Sequence, residues 1–245
     1  MKYRDLFRTH KPLIGMIHTG STDEYTVLDL AKYEIETYLR YGLYPLVENY
    51  YGEVEDCEQV LDWLQKTYPS TIYGLNILGD DREAFRLAGK YGAKFIQIDS
   101  VCGHLAPKYD AEYAEELAEL RKEVDVVLMG GVRFKYQPIA SGRTLTEDLM
   151  IAMHRCDAIV CTGIGTAAPT PLSKVGEFKT IVGNFPVIVG AGVTHQSVKD
   201  TFRKADGAII GSWIKNMHEI SGKVNEGYVR QIIEIIGLNN HYEDI

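Results

Sequence analysis

Short apolar runs alternate with longer amphipathic segments along the whole chain. The runs predict eight strands: Leu13–His18, Tyr44–Tyr50, Thr71–Leu78, Lys94–Ser100, Val126–Tyr136, Ala158–Thr162, Pro186–Gly190 and Ala208–Gly211. The amphipathic segments predict eight helices: Thr26–Tyr41, Val54–Thr67, Asp81–Tyr91, Ala111–Val124, Thr146–Arg155, Ser173–Val182, His195–Lys204 and Glu226–Ile236. Asp80, Asp110 and Thr194 stand where helices need a capping acceptor, and Gly42 and Gly92 follow helix ends. Repeated strand–helix alternation predicts parallel strands joined by crossover helices. Eight repeats favour a closed cylinder over an open doubly wound sheet, which usually stops at about six strands. The fold class expected is α/β, a single (βα)8 TIM barrel spanning residues 1–245 as one domain, with no linker or low-complexity break. That length matches the roughly 250 residues such a barrel takes.

In this fold the chemistry sits on the loops after the strands. Two are long: Val101–Asp110 and Gln137–Leu145. Side chains alternate across a strand, so each strand has one row toward the helices and one toward the lumen. In strand 5 the apolar row Leu128, Gly130, Val132, Phe134 is assigned to the helices, which sends Met129, Gly131, Arg133 and Lys135 inward. The same rule turns His18, Glu48, Asn76, Gln97, Asp99 and Thr162 toward the upper lumen. Buried charges are costly unless paired or used. One reading of this ring is a self-satisfied salt-bridge network, such as Glu48 or Asp99 with Arg133 or Lys135. The other is an active site. In that reading Asp99 or Glu48 is a general base, and Lys135 an anion partner or Schiff-base lysine. Arg133 makes a bidentate clamp, and His18 shuttles protons. Asn49, Asn76 and Gln97 would bind substrate.

The C-terminal third adds a ligand class. Pro186-Val-Ile-Val-Gly-Ala-Gly192 and Asp206-Gly-Ala-Ile-Ile-Gly-Ser212 are β-branched runs that stop at glycine. Strand 6 likewise ends in Thr162-Gly-Ile-Gly-Thr166. Loops after strands 7 and 8 hold phosphate in many barrels, and glycine lets a ligand approach the backbone. Thr162, Gly163, Gly165, Thr166, Gly190, Gly192, Gly211 and Ser212 are therefore the expected phosphate cradle.

Charge and cysteine content narrow the partners. A formal net charge of −8 argues against general nucleic-acid affinity, which needs clustered Lys and Arg. The four cysteines, Cys57, Cys102, Cys156 and Cys161, lack metal-type spacing and are expected as reduced thiols. The segment Met1–Asp5 lacks an apolar signal core and no run reaches membrane-spanning length, so a cytoplasmic protein without a membrane span is expected. His18, Glu48, Asp99 and His104 come from separate strands and loops, so no metal is expected, and no cofactor. Apolar helix faces suggest a homo-oligomer.

Taken in order, Leu13-Ile-Gly-Met-Ile-His18, Val47-Glu-Asn49, Gly74-Leu-Asn-Ile-Leu78, Ala93-Lys-Phe-Ile-Gln97, Ile159-Val-Cys-Thr-Gly163 with Gly165-Thr166, Val187–Gly192 and Asp206–Ser212 resemble the BtpA/SgcQ family, named for a photosystem I biogenesis factor. The resemblance runs from about Lys11 to Lys215 and implies the phosphate-binding barrel more firmly than any activity. Two places depart from the family pattern. Thr19-Gly-Ser-Thr22 replaces a Leu-Pro-Gly-Ser-Pro-like loop, and Gly131-Val-Arg-Phe-Lys-Tyr136 replaces Asp-Val-His-Val-Lys-His. Lys135 is kept. The expected function is an enzyme acting by proton transfer, isomerase or lyase, on a small phosphorylated metabolite such as a sugar phosphate or nucleotide-like compound. The rivals are a non-catalytic assembly or regulatory factor, and a nucleoside- or nucleotide-processing hydrolase with a tyrosine-lined pocket.

Overall fold

The apolar runs form strands because each is buried on both faces, with side chains alternating between the lumen and a helical shell. In a computed structural model, which describes residues 2–8, 11–20 and 24–237, the strands are β1 (Leu13–His18), β2 (Tyr44–Glu48), β3 (Gly74–Asn76), β4 (Phe95–Cys102), β5 (Val127–Val132), β6 (Ala158–Cys161), β7 (Val187–Val189) and β8 (Gly207–Ile210). Each pairs in parallel with the next, and β8 closes on β1 through Ile14↔Ile209. The helices are α1 (Tyr3–Leu6), α2 (Val27–Arg40), α3 (Val54–Thr67), α4 (Asp81–Tyr91), α5 (Pro107–Glu123), α6 (Leu145–Arg155), α7 (Leu172–Val182), α8 (Val198–Lys204) and α9 (Glu226–Ile236). The expected (βα)8 barrel is present. Of the Thr19–Thr22 loop singled out above, Ser21 and Thr22 lie outside the described residues.

Two apolar layers hold it together. Ile14, Met16, Leu46, Phe95, Met129, Val160, Ile188 and Ile209 fill the lumen. Ile17, Val47, Leu75, Ile96, Leu128 and Val132 pack outward against the helices. The short helix α1, which the periodicity does not reveal, closes the N-terminal mouth. Its neighbour Phe7 lies 5.0 Å from the Tyr44 ring and 5.9 Å from Phe95, and Tyr3 Oη donates to the Asp206 carbonyl at 2.8 Å. Burying a side chain of that size stabilises by roughly 1.5–3 kcal/mol.

Several boundaries differ from the sequence expectation for physical reasons. Asp80 caps α4 as expected, its Oδ1 accepting from Glu83 N at 2.9 Å. Asp110 is not a cap: Pro107 occupies the first turn of α5 after Ala106, so Asp110 falls inside the helix and faces Arg143 and Arg155. Thr194 accepts from Ser197 N in a turn that precedes α8 rather than capping a helix at His195. The loop expected over Val101–Asp110 is largely taken up by β4 and α5. Strand β4 is irregular between Ile98 and Cys102, so Val101 and Cys102 both join the outer layer. Strand β5 stops at Val132 because Arg133 adopts φ 47°, in the left-handed region.

Candidate functional site

The C-terminal ends of the strands converge on a cavity of about 300 Å³. Met16 and Ile209 lie at its apolar base. His18, Glu48, Gln97, Asp99 and Lys135 line one side, and Gly190–Gly192 with Gly211 and Ser212 line the other. Gln97 and Asp99 on β4 face the loops of β7 and β8 across the closed cylinder, while His18 on β1 lies next to β8, beside Gly211.

Hydrogen bonds link the acidic side. Asn76 Nδ2 donates to Glu48 Oε2 at 2.8 Å and to Asp99 Oδ1 at 3.3 Å. Gln97 Nε2 also donates to Asp99 Oδ1, at 3.3 Å, while the buried Gln97 Oε1 has no partner among the described residues. His18 Nε2 lies 3.5 Å from Glu48 Oε1, and its Nδ1 has no hydrogen-bond partner among the described residues. Burial, and then the Asp99 charge, push the Glu48 carboxyl up to about 7, against the opposing pull of Lys135. Burial raises Asp99 as well. Burial and the Lys215 and Lys135 ammoniums hold His18 well below the ordinary imidazole range. The ring is therefore neutral near pH 7, and its contact with Glu48 is dipolar rather than an ion pair. A carboxyl balanced near neutrality can both take and return a proton, as general acid–base work requires.

Lys135 is fixed by the neighbouring loop. Its backbone N–H donates to Thr162 Oγ1 at 2.9 Å, and Nζ donates to Thr166 Oγ1 at 2.9 Å. Tyr136 Oη accepts from Thr166 N at 2.8 Å. The loops after β5 and β6 are thus tied to each other, with Lys135 between the acids and the glycine wall.

The structure separates the sequence-predicted residues into two sets. His18, Glu48, Gln97, Asp99 and Lys135 share the cavity, and Asn76 bridges the acids behind it. Of the expected phosphate cradle, Thr166, Gly190, Gly192, Gly211 and Ser212 line the cavity. Gly192 has φ 68°, and a Cβ there would lie 2.1 Å from the Ala168 carbonyl oxygen, so glycine is required on both counts. Thr162 and Gly163 are buried behind the loop, and Gly165 packs beside Tyr136. Asn49 accepts from Leu78 N at 2.7 Å and so holds the loop after β3.

Arg133 does not enter the lumen. Its left-handed backbone breaks the strand alternation, and its Nε donates to Asp148 Oδ2 at 3.1 Å on the helical side. Phe134 takes the inward place instead and packs with the lumen residues. Arg133 belongs to a buried network. Asp148 also accepts from Arg143 Nε at 2.9 Å, and Asp110 pairs with Arg143 and Arg155. His104 lies away from the cavity, beside α5, where its ring sits 5.3 Å from Tyr113. Sequence reasoning also missed Gln137, on the rim, and the Lys215–Glu34 pair, 3.4 Å apart and almost wholly buried. The visible signal for Glu34 is its position on the apolar stripe of α2 beside Ala31, Ile35 and Tyr38.

Solved structures share the architecture at low identity. The tryptophan synthase α2β2 complex of Pyrococcus furiosus matches with TM-score 0.65 at 15% identity, covering 93% of this chain and 98% of that one. The Thermococcus kodakaraensis phosphoribosyl anthranilate isomerase matches at 0.57 and 15%, covering 91% and 98%. These show the fold. Among sequences, the photosystem I biogenesis protein BtpA of Synechocystis is 24% identical, over 93% of this chain and 88% of its own. An uncharacterised Thermococcus kodakarensis protein is 27% identical, over 92% and 95%. The sequence profile of the BtpA family matches residues 65–237, and the chain belongs to the BtpA family.

Proposed function

We propose that the protein is an enzyme that moves a proton on a small phosphorylated metabolite, as an isomerase or lyase. One observation carries the reading. Glu48 and Asp99, tied through Asn76, share a cavity with Lys135 and face the glycine loops of β7 and β8. The phosphate sits against Gly190–Gly192, Gly211 and Ser212, with Thr166 and Lys135 beside it. Its negative charge is thereby kept across the cylinder from Asp99, with the neutral His18 between it and Glu48. The solved phosphoribosyl anthranilate isomerase and tryptophan synthase have the same fold, which agrees with this layout without naming a reaction.

In the chemical step the ionised Glu48 takes a proton from a carbon beside a carbonyl. The electron pair moves onto the carbonyl oxygen, where the Lys135 ammonium stabilises the charge. In an isomerisation the carbon that lost its proton carries a hydroxyl: the proton on Glu48 adds to the former carbonyl carbon while the hydroxyl's proton passes to the enolate oxygen, so that the hydroxyl oxygen becomes the new carbonyl. In a lyase reaction the electron pair returns from the oxygen to re-form the carbonyl, the bond to a β-leaving group breaks, and the leaving group takes the proton from Glu48. No net proton is gained or lost. Burial keeps the carboxyl poised near neutrality for both directions.

The test has two arms. A panel of phosphorylated sugars and nucleotides is screened by thermal shift. A ligand at a hundred times its Kd stabilises by about 2.7 kcal/mol, or roughly 5–10 °C for a chain of this size. Hydrogen exchange into the ligand is then followed by NMR in D2O. Exchange at the carbon beside the carbonyl is expected, with a loss of at least about 100-fold in Glu48→Gln while binding persists. A panel in which no phosphorylated compound protects, or exchange indifferent to Glu48→Gln, overturns the reading.

A further inference from the structure

A second cavity, of about 350 Å³, opens between α4 and α5 above β3 and β4. It adjoins the first: Leu78, Gly79, Asp99 and Gln137 line both. Its chemistry is different. Among the described residues, Asp80, Asp81, Asp99 and Glu116 border it against one cation, Arg82, and Arg82 is already 2.6 Å from Glu116. The N-terminal turn of α4 is already capped by Asp80, so it makes no demand for an anion. A phosphate would meet uncompensated like charge here.

Among the described residues, two buried polar atoms on this cavity have no partner. Ser100 is 5% exposed and its Oγ is unbonded, as is the buried Nδ1 of His104. A buried polar group left unpaired costs about 1–3 kcal/mol. Ser100 continues the outward row of Ile96 and Ile98 in β4, which faces α4 and α5. Asp81 is held beside it: the single Tyr113 Oη proton is shared between Asp81 Oδ2 at 2.9 Å and the Ser100 carbonyl at 3.0 Å.

We infer that this second cavity is a subsite for a basic nitrogen, an amine or amidinium, on the substrate whose phosphate lies against the glycine loops. The inference rests on the function proposed above and narrows its substrate to a phosphorylated compound that carries a basic nitrogen. Asp81 supplies the counter-charge, Ser100 Oγ and His104 Nδ1 accept the remaining N–H groups, and Asp99 stands between the subsites. Burial moves the Asp81 carboxyl up to about 6, which leaves it charged at pH 7.5.

Isothermal titration at pH 7.5 tests this with inorganic phosphate and with matched pairs that differ by amine for hydroxyl. Two such pairs are glucosamine 6-phosphate with glucose 6-phosphate, and O-phosphoethanolamine with ethylene glycol monophosphate. At least one aminated member should bind about tenfold tighter than its partner, the scale of a charge-assisted hydrogen bond. Asp81→Asn should erase that preference and leave inorganic phosphate affinity unchanged. Ser100→Ala should reduce the preference several-fold, and it carries the test if Asp81→Asn does not fold. Equal affinities within every pair, or a preference that survives Asp81→Asn, overturn the subsite while phosphate binding still upholds the parent reading. An Asp81-dependent amine preference without phosphate binding upholds the subsite and removes the phosphorylated substrate. Absence of all binding counts against both.

Discussion

The placement of Arg133 decides between two accounts of the site. Strand alternation puts its guanidinium in the lumen as an anion clamp, whereas the structure commits it to Asp148. Asp148 is fully buried and accepts from Arg133 Nε at 3.1 Å, Arg143 Nε at 2.9 Å and Ser141 Oγ at 3.2 Å. Asp148→Asn keeps the shape and removes the charge, leaving Arg133, Arg143 and Arg155 with Asp110 as the one acid of the network. Removing one partner of a buried pair costs about 3–5 kcal/mol. The Arg133 and Arg143 side chains retain 21% exposure, so the lower end, about 3 kcal/mol, applies. At roughly 2–4 °C per kcal/mol for a chain of this length, the melting temperature should fall by about 6–12 °C. Urea unfolding of Asp148→Asn, Arg133→Met and the double variant gives the coupling, expected at about 1–2 kcal/mol for contacting residues. Ligand protection should survive in Arg133→Met, weakened only as far as Lys135 shifts. The structural account would be refuted by an Arg133→Met protein of unchanged stability that no longer responds to a phosphorylated ligand.

Glu48 gives a pH signature. Its folded pKa, about 7, lies above the reference 4.5, so the folded state binds more protons in that window and stability falls as pH rises from about 4.5 to 7. Glu48→Gln removes the penalty. It should gain up to about 3 kcal/mol over wild type at pH 8 and little at pH 4.5, and a pH-independent difference in urea midpoints would contradict the assignment. Gly192→Ala forces a Cβ to 2.1 Å from the Ala168 oxygen at φ 68°. Loss of phosphate protection is expected, with a stability loss above about 1 kcal/mol, and normal phosphate titration would exclude that loop as the anion wall. Phe7→Ala opens the base of the cylinder and should cost about 3–5 kcal/mol. A urea midpoint shift corresponding to less than about 1 kcal/mol would mean that α1 does not plug the barrel.

The barrel was legible because its signal is periodic and repeated eight times, so errors of a few residues at each boundary leave the topology intact. Helix α1 has four residues, too few to show a period, and its role depends on a mouth that exists only once the strands close. The alternation rule served as long as the ladder lasted. It placed His18, Glu48, Gln97 and Asp99 correctly, since those residues lie in or directly after paired strands. It failed at Arg133 and Phe134, where a left-handed residue ends the ladder and exchanges the two faces. No residue-by-residue pattern announces that turn. The partner does: Asp148 lies between Leu145, Leu149 and Ala152 on the inward stripe of α6. An acid on an apolar stripe demands a buried cation. Glu34 on α2 makes the same demand, which Lys215 meets, and Lys215 in turn helps to keep His18 neutral. Buried charges in amphipathic helices are therefore where this sequence records how the rim is held. The second cavity left no such mark: alternation puts Ser100 on the outward row of β4 with Ile96 and Ile98, but a serine on that row does not announce that its hydroxyl will lack a partner.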